Sequence, residues 1–135
     1  SPILPTTKSK FLSMVLEHLS VEELEATLAE VYRVLKPNGR FLGTVPAEED
    51  LKLSEVVCPS CGEVFHRWGH LQSFTKERLK EQLSKRFSDV TISRRYFVYW
   101  EKLNWKGRIV MLVKLLLLKI GATGSGTTFF FQAYK

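Results

Sequence analysis

Phe11-Leu-Ser-Met-Val-Leu-Glu-His-Leu-Ser20-Val-Glu-Glu23, followed by Tyr32-Arg-Val-Leu-Lys-Pro-Asn-Gly39 and Arg40-Phe-Leu-Gly-Thr-Val-Pro46, is the stretch whose reading decides the fold. Phe11-Leu-Ser-Met-Val-Leu16 is an apolar run of strand length, suited to a buried parallel strand. Glu17-His18-Leu19 reads as a loop. Ser20 and Glu23 form a capping box, in which the hydroxyl takes the N–H of the third helical residue and the carboxylate reaches back. Val21, Leu24, Leu28, Val31 and Leu35 recur at helical spacing and give one apolar face. Pro37-Asn38-Gly39 stops that helix, and Arg40-Phe-Leu-Gly-Thr-Val45 predicts a second strand ended by Pro46. Strand, helix, strand is the grammar of a right-handed βαβ unit in a parallel sheet.

Outside this unit the composition is that of an ordinary globular protein. The chain has 135 residues, 44% of them apolar and 25% charged, with a mean hydropathy of −0.07. That length buries a core without help from a metal. Twenty basic against fourteen acidic residues give a formal net charge of +6. The basic residues are scattered rather than blocked, which suits a solvated surface and gives no strong nucleic-acid signal. The only two cysteines, Cys58 and Cys61, sit in one C-x2-C, too few and too close for a disulfide framework. A reducing, cytoplasmic setting is expected. Residues 1–10 read as an irregular lead-in without the features of a signal peptide or an initiator methionine, so a piece of a longer product is expected.

Downstream, an acidic stretch, Glu48-Glu49-Asp50, leads into Cys58-Pro-Ser-Cys61-Gly-Glu-Val-Phe-His66-Arg-Trp-Gly-His70. Two thiols and two imidazoles on short tethers suit tetrahedral zinc, so Cys58, Cys61, His66 and His70 are the candidate Zn2+ ligands. The opposing reading has free thiols and loop histidines. A redox use of the C-x2-C is poorer, since the motif does not open a helix. Ser73 or Thr75 caps a helix running to about Phe87, with Leu79 and Leu83 inward. Residues 89–100 predict a long strand, 104–120 a very apolar helix, and 127–134 a final strand. The aromatics around Tyr96 and Trp100, with Phe129 and Phe131, are expected in the core. The helix from Lys106 to Ile120 is expected to pack on the sheet. Its flanking Lys106, Arg108, Lys114 and Lys119 give a second reading, contact with an anionic membrane surface. It is too short to span a bilayer.

Val15-Leu-Glu-His-Leu19, Arg33-Val-Leu-Lys-Pro-Asn-Gly39 and His70-Leu-Gln-Ser-Phe-Thr-Lys-Glu-Arg-Leu79 together resemble the class I S-adenosylmethionine-dependent methyltransferases. The resemblance covers residues 11–100 and, loosely, the tail. It implies an α/β, Rossmann-like sheet of which this chain holds strands four to seven, the last antiparallel. On this reading residues 1–135 are one C-terminal half-domain, with 48–72 an inserted Cys/His loop. It further implies S-adenosylmethionine as cofactor, Ser13, Met14 and Glu17 on the cofactor side, His18 and His70 as the candidate catalytic bases, and a methyl acceptor of unknown identity. The opposing reading of His18 and Glu17 is a loop histidine bonded to the next helix and a solvated glutamate.

The departures from the family are as informative. Its cofactor site rests on a glycine-rich turn after the first strand and an acidic residue ending the second, because glycine admits the ligand to the backbone and a carboxylate accepts the ribose hydroxyls. Neither is found here; Gly121-Ala-Thr-Gly-Ser-Gly126 lies near the C-terminus, between a helix and a strand. The chain alone is expected to be incomplete for cofactor binding. Its Phe11–Leu16 strand is then an exposed edge that invites self-association or pairing with another segment. Two rival readings are a zinc-knuckle module that stacks RNA bases on Phe65 and Trp68, and a non-catalytic remnant.

Overall fold

The computed structural model describes residues 7–97, 100–122 and 126–135; the first six residues of the lead-in, two residues of the expected long strand and the middle of the glycine-rich turn fall outside the described residues. Four strands form the main sheet: β1 (Thr7–Ser13), β2 (Leu35–Pro46), β5 (Ser88–Arg95) and β6 (Thr128–Tyr134), in the order β1-β2-β6-β5. A two-stranded hairpin, β3 (Glu55–Val57) with β4 (Val64–His66), stands apart from it. The helices are α1 (Val21–Val34), α2 (Lys76–Ser84) and α3 (Trp105–Lys119).

The βαβ reading holds. β1 and β2 are parallel, with Phe11 opposite Leu42 and Ser13 opposite Thr44. α1 between them carries the expected reciprocal cap, Glu23 N–H to Ser20 Oγ at 3.2 Å and Ser20 N–H to Glu23 Oε2 at 2.8 Å. Leu24, Leu28, Val31 and Leu35 are buried, whereas Val21, on the exposed first turn, is not. α2 is capped by Thr75 and buries Leu79 and Leu83. β6 runs antiparallel between β2 and β5.

Several boundaries differ from the sequence reading. β1 begins at Thr7 and ends at Ser13, because Met14 turns the chain with a φ of 53° and Leu16–His18 forms a 3-10 turn. Pro37-Asn38-Gly39 lies inside β2, where Asn38 at φ 59° accompanies a register shift between Thr7 and Ser9 on the facing strand. Residues 48–72 are not a plain loop: they contain a 3-10 turn (Leu51–Ser54) and the β3–β4 hairpin. The strand after α2 stops at Arg95, leaving Phe97 and Trp100 exposed rather than in the core.

α3 departs most. None of its residues is buried, and Ile109, Val110, Leu112 and Leu116 are each more than half exposed. Its apolar residues run round the helix rather than down one face, so no single side can pack and leave a polar back. Fifteen residues reach about 22 Å, and among the described residues no helix is long and apolar enough to cross a membrane.

The core lies between α1, α2 and the sheet. Phe41, Phe87 and Phe131 stack through it, with ring centroids 5.4 Å and 5.0 Å apart for the pairs Phe41–Phe87 and Phe41–Phe131. Gly43 lets β2 sit under this cluster. A Cβ there would lie 2.4 Å from Phe131 Cζ and 2.5 Å from the Leu12 carbonyl oxygen. The ring can swing, but the neighbouring strand's backbone cannot. Gly43→Ala is therefore expected to destabilise the protein by about 1–3 kcal/mol. Hydrogen exchange on β1 amides should accelerate with it; unchanged urea unfolding would refute the clash.

Candidate active-site cleft

Parallel strands direct ligands to their C-terminal ends, and the principal cleft opens there. Its volume is about 510 Å³, and Met14, His18, Glu49, Trp68 and His70 line it together with the ends of β2 and β6. Met14 holds a left-handed backbone without being glycine. Strain of that kind persists only where the surroundings fix it, and it gathers at ligand sites. Here the Met14 N–H is held by the Thr44 carbonyl at 2.9 Å, and the Ser13 and Thr44 hydroxyls bond at 2.9 Å. Both of these predicted cofactor-side residues therefore stand at the mouth of the sheet.

His18 and His70 are 52 residues apart and become neighbours through a backbone strap. The Glu17 carbonyl accepts the N–H groups of Leu71 (2.8 Å) and Gln72 (3.1 Å), and the Gln72 side chain donates to the Leu19 carbonyl at 2.6 Å. Arg78 in turn donates to Gln72 Oε1 and to the Ser73 carbonyl. With the strap pinned, the His18 and His70 rings meet edge to face at 4.8 Å, and His66 stacks on His70 at 4.7 Å.

The ring protons follow from the partners. His18 Nδ1 lies 3.1 Å from the Gly69 carbonyl oxygen, which only accepts, so Nδ1 carries the proton. His70 Nδ1 lies 2.5 Å from Glu49 Oε2 and donates to it. In the neutral form of each ring, that leaves Nε2 as the nitrogen with the lone pair. His66 is the reverse: its Nδ1 accepts the Trp68 and His70 backbone N–H groups, each at 3.2 Å, so its proton sits on the buried Nε2, 3.5 Å from Glu49 Oε1.

Glu17 is the most unusual side chain present. It is 0% exposed, and neither carboxylate oxygen has a hydrogen-bond partner. Burial, as the main cause, raises its pKa, opposed by the dipole of its own backbone N–H and by the nearby His18 and His70. The expectation of a solvated glutamate is not met.

The predicted four-ligand zinc set is not brought together. Cys58 follows β3 and Cys61 lies in the hairpin's turn, while His66 pairs with Glu55 at the other end of β4. Three residue steps of strand lead from Glu55 to Cys58, about 10 Å at the usual rise. The thiols instead form a small turn of their own: Gly62 N–H bonds the Cys58 carbonyl, and the Cys61 backbone N–H, with help from Ser60, lowers the Cys58 pKa. Among the described residues, the groups with metal-ligating geometry are Glu17–His18–His70 and Glu49–His66–His70; neither includes a cysteine. Glu49, which joins two of the imidazoles, was passed over in the sequence as part of an acidic lead-in; nothing in its spacing marked it.

Comparison with known proteins bears on the fold. The family described as a methyltransferase domain matches residues 9–43, which hold β1, α1 and much of β2. No curated protein matches the chain in sequence. Solved structures do match: a SAM-dependent methyltransferase from Archaeoglobus fulgidus superposes over 96% of this chain with a TM-score of 0.60 at 16% identity. The fold is that of part of a SAM-dependent methyltransferase. The N-methyltransferase NodS from Bradyrhizobium japonicum, solved with S-adenosyl-L-homocysteine, covers 97% of the chain at a TM-score of 0.52 and 11% identity. Phosphoethanolamine N-methyltransferase 2 from Haemonchus contortus, solved with S-adenosyl-L-methionine, covers 95% at 0.53 and 16%. The chain spans 60%, 47% and 33% of these three proteins respectively. The sheet of this chain runs β1-β2-β6-β5, with β6 antiparallel to both of its neighbours.

Proposed function

We propose that this chain forms the acceptor side of an S-adenosylmethionine-dependent methyltransferase whose cofactor site is completed by chain paired against the outer edge of β1. One observation carries the reading: among the described residues no strand pairs with the outer side of β1, and the cleft lies at its C-terminal end. Phe11 on β1 is 57% exposed. A second groove of about 490 Å³ runs between β1 and α1, lined by Leu12, Ala26, Val31 and Val34 among others. An open strand edge flanked by a partly apolar groove suits a further strand and helix of the same sheet.

The cofactor supplies a sulfonium-bound methyl group that passes in line to a nucleophile. The chain's own part is orientation. The Met14 turn and the Ser13–Thr44 pair shape the cofactor side of the cleft. His18, His70 and Trp68 line the acceptor side. Holding the two reactants in one geometry is the larger share of such catalysis.

An NMR titration with S-adenosylhomocysteine tests this. Weak binding, with a dissociation constant of about 1 mM, is expected because only part of the ligand's contacts lie in this chain. Shifts should gather at Ser13, Met14, Glu17 and the Gly69–His70 strap. No shifts, or shifts gathered on α3, would refute the reading.

A further inference from the structure

We propose that Glu17, His18 and His70 form a binding site for a first-row divalent cation of the zinc class, with an open coordination position facing the cleft. One donor atom from each of the three residues lies within 4.8 Å of the others. The ligand set is two neutral imidazoles and one carboxylate, which suits borderline divalent metals and leaves at least one position for an outside ligand.

Three independent features point to a cation. Glu17 is fully buried with both oxygens unpartnered, a state that costs free energy unless something positive fills the gap. Both histidines present the free lone pair a metal needs. Each also donates its other ring proton to an acceptor, Gly69 carbonyl for His18 and Glu49 carboxylate for His70. That is the outer-shell arrangement that fixes a ligating imidazole's tautomer and raises its basicity.

The neighbouring Glu49–His66–His70 group is not a second site. His66 Nδ1 accepts two backbone N–H groups, so its Nε2 carries a proton and has no lone pair to give. Glu49 is committed to orienting His70. The cysteines take no part, since the hairpin keeps them at its far end.

The role of the metal rests on the methyltransferase reading. At its open position it would bind an oxygen of the methyl acceptor, which makes a hydroxyl or phenol the favoured acceptor class. Binding of the cation itself does not depend on that reading and is tested without cofactor.

The test is titration of the EDTA-stripped full chain with Co2+, read by absorption and by metal analysis after desalting. Expected is one Co2+ per chain, with ligand-field bands but no thiolate-to-cobalt charge-transfer band. The Cys58→Ser/Cys61→Ser double variant should bind as the parent does. Glu17→Gln, nearly isosteric, and His18→Ala should abolish binding while circular dichroism stays unchanged. Glu49→Gln should weaken it by about 10–100-fold, as loss of an outer-shell partner does. A charge-transfer band that disappears with the cysteines, or no binding at about 1 mM Co2+, would overturn the site. Metal binding without any S-adenosylhomocysteine response would instead remove the methyltransferase reading and leave the site standing.

Discussion

Phe131→Ala is expected to cost about 3–5 kcal/mol, the usual penalty for emptying a buried aromatic position. Phe131 is 0% exposed, meets Phe41 edge to face at 5.0 Å, and lies directly over Gly43. Its strand, β6, is paired on both sides, with Phe131 opposite Gly43 of β2 and Ile92 of β5. The cavity therefore cannot close by moving an edge strand inward. Against a total stability of about 5–15 kcal/mol for a domain of ordinary size, the variant should be marginal at room temperature. Urea unfolding measures it: the midpoint should fall with little change in slope. A loss below about 1 kcal/mol would mean that the aromatic cluster is not packed as described. The effect is coupled to Gly43, because removing the ring relieves one of the two clashes a Cβ would make there. Leu12's carbonyl remains, so Gly43→Ala in the Phe131→Ala background should still cost stability, but less than in the parent.

The frame was legible in the sequence because local and long-range signals agreed. Ser20 and Glu23 marked a helix start, Leu24, Leu28 and Val31 a buried face, and Arg40 to Pro46 a strand; each is what the structure shows. β1 was read four residues late because Lys8, Ser9 and Lys10 look like loop. They belong to an edge strand with one side open in this chain, where polar residues cost nothing. α3 was misjudged for the opposite reason: apolar composition alone was taken as burial, although its residues face no single direction.

The site was legible only in its members. Glu17, His18 and His70 were all named from sequence, but not as one group, because nothing in spacing joins positions 17 and 70. The join is made by Leu71 and Gln72 donating to the Glu17 carbonyl, a backbone contact that no side-chain pattern announces. The zinc reading of Cys58 to His70 joins residues that the structure holds apart, for a related cause. Short separation along the chain implied closeness, yet a β-hairpin places residues a few positions apart at opposite ends of its strands.

Glu17→Met is expected to stabilise metal-free protein by about 1–3 kcal/mol, the desolvation cost of a buried polar group left without a hydrogen bond. Glu17 is fully enclosed and both its oxygens lack partners, so the wild type carries an uncompensated desolvation cost. Methionine is unbranched and of like length, and it occupies the same space without that cost. Urea unfolding in EDTA should therefore show a higher midpoint for the variant. Addition of Co2+ should then raise the midpoint of the parent and leave the variant where it was, narrowing or reversing the gap, since only the parent gains a ligand in its folded state. A variant less stable than the parent in EDTA would show that the carboxylate already has a partner inside the chain. A residue that costs stability while touching no internal partner is explained by what it binds. Glu17 sits beside the two imidazoles that line the cleft, on the 3-10 turn that follows β1. There a locally unfavourable charge makes sense as a ligand awaiting its cation.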